Sequence, residues 1–164
     1  MRNNPHGFTL IELVLVIALM GILGYTAIPA ITSTQTFGLD NASRKLEADL
    51  RYAQNTAMTT GEPHGFRTIT DGTTSDYEIY EVVSNQPINS PYDRLPMIED
   101  FTESYKGISF KDDNSYDIRF DAQGNPTFIV GGQNIILRNP GNETKTISIN
   151  NIGLIDVGNT VSPP

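Results

Sequence analysis

GFTLIELVLVIALMGILGYTAIPAI, residues 7–31, contains one ionisable side chain besides that of Tyr25, the carboxyl of Glu12. At about 1.5 Å per residue, residues 8–31 reach about 36 Å as a helix, enough for a hydrocarbon core of about 30 Å. Residues 1–7 are short and polar, and carry Arg2 and His6 with no acid. The positive-inside rule therefore predicts a cytoplasmic leader, with the bulk of the chain beyond the membrane. An ordinary secretory signal with its apolar region at 13–23 fits less well. Neither Tyr25-Thr26-Ala27 nor Ile28-Pro29-Ala30 has the small–x–small pattern, and the apolar run is long.

Beyond this run the chain turns polar but keeps a helical rhythm. Leu39, Ala42, Leu46, Leu50, Ala53 and Ala57 recur at steps of three or four, an apolar stripe on an amphipathic helix. Gly61, Glu62 and Pro63 are its stop signal. After that the period becomes two. Tyr116, Ile118 and Phe120 alternate with polar neighbours, as do Ile108 with Phe110 and Ile147 with Ile149, the pattern of half-buried antiparallel strands. Turn residues punctuate them at 124–126, 131–132, 139–142 and 151–153. Residues 84–100, with Pro87, Pro91 and Pro96, read as a long irregular loop. The expected fold class is α+β: a long N-terminal helix, transmembrane in its first half, packed on a small antiparallel β-sheet. The expected regions are a leader at 1–7, a membrane half at 8–31, an amphipathic half at 32–61 and a β-rich domain at 62–164.

Gly7-Phe8-Thr9-Leu10-Ile11-Glu12-Leu13-Val14 resembles the processing site of type IV pilins and type II secretion pseudopilins. The resemblance implies that a prepilin peptidase cuts after Gly7 and methylates the new amino terminus on Phe8. Glu12 then matches the family's acidic residue near the mature N-terminus, and Pro29 falls where these helices often carry a proline. Residues 46–57, 118–124 and 146–155 resemble the helix, the strand before a glycine turn and the closing hairpin of GspH/FimT-like minor subunits. Gln54 stands where that family commonly has Arg. The absence of Cys removes the disulfide loop of many major pilins. The resemblance therefore implies a pilin-like fold and a structural subunit placed near a filament tip to prime assembly. Its partners would be the peptidase, other pilins or pseudopilins, an inner-membrane assembly platform and the lipid bilayer. Its place would be the inner membrane, with the C-terminal domain periplasmic and then part of a pseudopilus or surface pilus.

Glu12 is the informative side chain physically. A carboxylate costs about 2.5–3.5 kcal/mol at the centre of a membrane helix and less toward the interface. Cleavage after Gly7 would create an ammonium on Phe8, which the Glu12 carboxylate of a neighbouring subunit could meet at low dielectric, where one pair is strong enough to set register. The plainer reading has Glu12 reaching to the headgroups with no partner. Gly21, Gly24 and Pro29 form a weak stretch, because interior Gly costs about 1 kcal/mol and Pro about 3 kcal/mol relative to Ala. They are equally at home in an ordinary membrane helix.

The remaining inventory is chemically inert. The 164 residues carry 11 basic and 19 acidic side chains, a formal charge of -8, which counts against nucleic acid as a partner. With no Cys, thiolate zinc sites, Cys nucleophiles and disulfides are excluded, and with two His the usual raw material for metal or acid–base catalysis is scarce. The acidic run Lys111-Asp112-Asp113-Asn114-Ser115-Tyr116-Asp117 lacks the spacing of a calcium loop and reads as a solvated turn. Asp93, Glu99, Asp100 and Glu103 read as a solubilising loop, and His64 as structural. No enzyme activity, cofactor or metal is expected; the alternative function is a minor pilin whose sheet domain binds surfaces or DNA. The expected intact mass of the mature protein is that of a chain beginning at methylated Phe8; a chain beginning near residue 30 would point to the ordinary signal instead.

Overall fold

The computed structural model describes residues 9–69, 76–111 and 114–163, apart from the side chains of residues 24–36 and of Thr102. Two units divide the chain, Met1–Thr34 and Gln35–Pro164. One helix, α1, runs over Leu10–Thr60, so the apolar run and the amphipathic run join as a single element. Its backbone is helical through Gly21, Gly24 and Pro29.

In the first unit, residues 10–23 expose large apolar side chains around the whole helix; Leu10 is 81% exposed and Leu23 67%. Among the described residues, no helix is long and apolar enough to cross a membrane. The transmembrane half expected over 8–31 is therefore not seen as such. Its described side chains end at Leu23, and the remainder lies outside the described side chains.

In the second unit the stripe faces inward as expected. Leu39, Ala42, Leu46, Leu50, Ala53 and Ala57 are fully buried. Burying a leucine is worth about 1.5–3 kcal/mol, and the alanines let sheet side chains come close to the helix backbone. Gly61 ends α1 at a φ of 75°, its N–H donating to the Ala57 carbonyl at 3.0 Å. A glycine takes that left-handed conformation without a Cβ clash.

The strands are β1 (His64–Ile69), β2 (Asp76–Glu81), β3 (Gln86–Pro87), β4 (Ile98–Asp100), β5 (Ser109–Phe110), β6 (Asp117–Phe120), β7 (Pro126–Val130), β8 (Asn134–Arg138), β9 (Thr144–Ile149) and β10 (Ile155–Val157), with a short helix α2 at Phe101–Ser104. They form two sheets where the sequence suggests one. The first has the order β3-β2-β1-β6-β7, with β4 also paired to β2, and the second β10-β9-β8-β5. All their strand pairs are antiparallel. The chain visits the second sheet once at β5, returns to the first for β6 and β7, and after Gly131 goes back to the second for β8, β9 and β10. Both sheets contribute to one core, in which Phe66, Tyr77, Phe101 and Phe110 form an aromatic cluster.

Residues 84–100 are more ordered than the proline spacing implies. Besides β3 and β4, which both pair with β2, Asn89 and Pro96 form a bridge, and the Met97 N–H donates to the Ile88 carbonyl at 2.8 Å. The prolines punctuate a tight excursion between short strands.

The two-residue alternation holds in β6, β8 and β9 but fails in β1 and β2, where Tyr77, Glu78, Ile79 and Tyr80 are all buried. The outer face here is covered from within the sheet. A Cβ on Gly65 would lie 2.7 Å from the Tyr80 ring, and the Arg67 guanidinium sits 4.3 Å from that ring's centre. Arg67 also pairs with Glu78. The Tyr80 hydroxyl donates to Asp117 Oδ1 at 2.6 Å and accepts from Arg119 Nε at 2.9 Å. Burial, reinforced by Asp117, pushes the Tyr80 hydroxyl up to about 12. Gly65→Ala is expected to lower unfolding stability by about 1–3 kcal/mol through overpacking against the ring and the Ile118 carbonyl, 3.0 Å away. Denaturant unfolding at unchanged m-value is the measurement.

Candidate functional site

The residues expected to carry assembly lie at the start of α1. Gly7 and Phe8 are outside the described residues; Thr9 and Glu12 are within them. The Thr9 N–H donates to Glu12 Oε2 at 3.0 Å, the Thr9 hydroxyl donates to the same oxygen at 2.9 Å, and the Glu12 N–H donates to Thr9 Oγ1 at 3.3 Å. This is a reciprocal capping box, with Thr9 as the N-cap and Glu12 in the first turn. The carboxylate satisfies an orphan backbone donor, and its charge lies at the favourable positive end of the helix dipole. The Thr-x-x-Glu spacing was there to be read in the sequence, and the capping role is the one the sequence analysis missed. Glu12 therefore has a partner within its own chain, Thr9.

Polar contacts along the second half of α1 hold the β-rich domain to the helix. Asp40 pairs with the buried Lys145 of β9. Asp49 accepts Lys45 Nζ at 2.5 Å and the buried Tyr77 hydroxyl at 2.6 Å through the same Oδ2. Burial, with the charge and hydrogen bond of Asp49, raises the Tyr77 hydroxyl well above its ordinary range. Burial alone would depress the Lys45 ammonium, but the hydrogen bond and charge of Asp49, together with Glu99, outweigh it and hold it above its usual value. Arg51 spans Glu47 and the Ile155 carbonyl of β10.

Gln54 connects the helix to both sheets at once. Its side-chain Nε2 donates to the Gly124 carbonyl at 2.9 Å and to the Gly153 carbonyl at 2.8 Å. Those glycines occupy the turns leaving β6 and β9, at φ 81° and 80°. One amide therefore fixes a turn from each sheet to the helix. A carboxamide offers two donors to two convergent carbonyls, which suits this position.

The other sequence candidates resolve into structural roles. His64 is buried, and its Nδ1 lies 2.8 Å from the Glu62 carbonyl, within hydrogen-bond reach. Of the acidic group at 93–103, Glu99 faces Lys45 at 3.5 Å and Asp100 accepts the Glu103 N–H at 3.1 Å. These carboxylates help to order the segment instead of only solvating it. Asp112 and Asp113 lie outside the described residues. Among the described residues, no group of three or more His, Cys, Asp or Glu is placed to hold a metal ion.

Comparison with known proteins bears on both halves of the chain. A family model described as the prokaryotic N-terminal methylation motif matches residues 2–24. A second, described as type II transport protein GspH, matches residues 42–153, more than half of the chain. No curated protein and no solved structure matches.

Gln54 and both of its carbonyl partners lie within the second match. Gln54→Ala is expected to cost about 1–3 kcal/mol, because two carbonyls lose their donor. Gln54→Glu should cost more, since it turns a carboxylate toward them. Chemical denaturation of the two variants against the parent measures the difference.

Proposed function

The chain belongs to the GspH family of type II transport proteins, a family of minor pseudopilins and pilins, and on that footing we propose that it is a processed filament subunit that primes assembly near the tip. Prepilin peptidase removes residues 1–7 by cutting after Gly7 and methylates Phe8. Residues 8–31 hold the subunit in the inner membrane before assembly, with the β-rich domain in the periplasm. The inner-membrane platform then passes it into the filament among other pseudopilins or pilins.

The observation that carries this reading is the surface of α1 over residues 10–23. Large apolar side chains face outward on all sides there, and the single carboxylate is held at the helix start. Such a surface needs lipid or neighbouring helices to cover it. In lipid the Thr9 cap lowers the cost of carrying Glu12. Its hydrogen bonds go to Oε2, which leaves Oε1 for the Phe8 ammonium of the adjoining subunit. Gly21, Gly24 and Pro29 supply a stretch that loosens as the helix leaves the bilayer and packs in the filament. Charge placement supports a structural role over a DNA-binding one. Acidic side chains outnumber basic ones 19 to 11, and Lys45, Arg51, Arg67, Arg119 and Lys145 are engaged by carboxylates, which disfavours phosphate binding.

Replacing Gly7 by a bulkier residue should leave the precursor uncut on an immunoblot. Glu12→Ala should be cut normally but should lose incorporation into sheared filaments by at least about a hundredfold, since breaking a buried pair costs about 3–5 kcal/mol. Normal incorporation of Glu12→Ala would refute the pairing.

A further inference from the structure

A cavity of about 590 Å³ opens between the second half of α1 and residues 90–99. Lys45, Asp49 and Glu99 form its polar side, and Asp93 adds a third carboxylate against the one ammonium. Asp49 is already engaged by Lys45 and Tyr77. Glu99, 3.5 Å from Lys45 Nζ, is at the limit of hydrogen-bond reach and keeps acceptor capacity. The lining also includes the aromatic and apolar side chains of Tyr52, Tyr92 and Met97. Tyr92 is 95% exposed, yet its backbone is held in place. Its N–H donates to Ser90 Oγ at 3.2 Å, and Asp93 Oδ1 accepts the Leu95 N–H at 3.1 Å. A large ring is thus presented to water by a tied turn at the mouth of an anionic cavity.

We propose that this cavity receives an arginine side chain from a partner protein, its guanidinium meeting Glu99 and its plane lying against the tyrosine rings. The excess of carboxylates rejects an anion. An apolar side chain would desolvate the excess carboxylate charge of Glu99, Asp49 and Asp93 without adding a cation to balance it. Between the two cations, guanidinium is flat, weakly hydrated, forked to match a carboxylate and suited to stacking on tyrosine; ammonium is none of these. The site requires neither N-terminal processing nor a filament, so it stands or falls apart from the function proposed above.

The test uses the full-length chain in detergent micelles, titrated with N-acetyl-arginine amide, N-acetyl-lysine amide and N-acetyl-citrulline amide. Backbone amide shifts of Ala48, Tyr52, Met97 and Ile98 report occupancy. Arginine amide should give saturable shifts at these residues, with citrulline amide, its uncharged isostere, binding at least about tenfold more weakly and lysine amide also weaker. Glu99→Gln should weaken arginine amide by about tenfold. Tyr92→Ala, which removes an exposed ring and should leave the melting curve unchanged, should weaken it by about threefold. Absence of saturable shifts with arginine amide overturns the proposal. So does binding of citrulline or lysine amide as tight as arginine amide, or unchanged affinity in both variants.

Discussion

The inward face of α1 from Leu39 to Ala57 is the surface on which the β-rich domain is built. Six fully buried apolar side chains at helical spacing meet the inner faces of both sheets. Because three are alanines, the aromatic side chains of the first sheet can pack close to the helix backbone. Around this stripe the polar residues of α1 act as ties. Asp40 reaches Lys145, Asp49 reaches Tyr77, Arg51 reaches the Ile155 carbonyl, and Gln54 reaches two glycine carbonyls. Burial supplies most of the free energy and the ties fix the register, since hydrogen bonds are directional and hydrophobic contact is not.

The same helix has a different surface over residues 10–23, with apolar side chains exposed all round. In one element the chain thus joins a segment that must be covered from outside to a segment covered by its own strands. The capping box at Thr9 and Glu12 belongs to the first of these. It makes the acid part of the helix start and thereby sets where the carboxylate stands relative to the backbone. A subunit that has to carry a charge in apolar surroundings gains from an internal partner for it.

Legibility followed the coverage of each face. β6 and β9 have one covered face, and their alternation identifies them in the sequence. β1 and β2 have both faces covered, so the period-two signal disappears; Tyr80 packing over Gly65 is the reason. β3 and β4 are two and three residues long and lie among prolines, too short for any periodicity to register. In the candidate site, Glu12 was identified by its position in the motif. Its bond to Thr9 was also local, three residues away, and so was within reach of sequence reasoning.

By itself the sequence determined the long helix, the change in its apolar pattern, the stop at Gly61, the α+β class and the N-terminal methylation motif within residues 2–24. All of these rest on residues close together in the chain, where spacing translates directly into geometry. Tertiary structure alone decided that there are two sheets, that Gln54 ties turns 70 and 99 residues away, and that residues 90–99 enclose a charged cavity with α1. Those features depend on which distant surfaces meet, and a pattern along one strand or helix specifies a face without naming what will cover it.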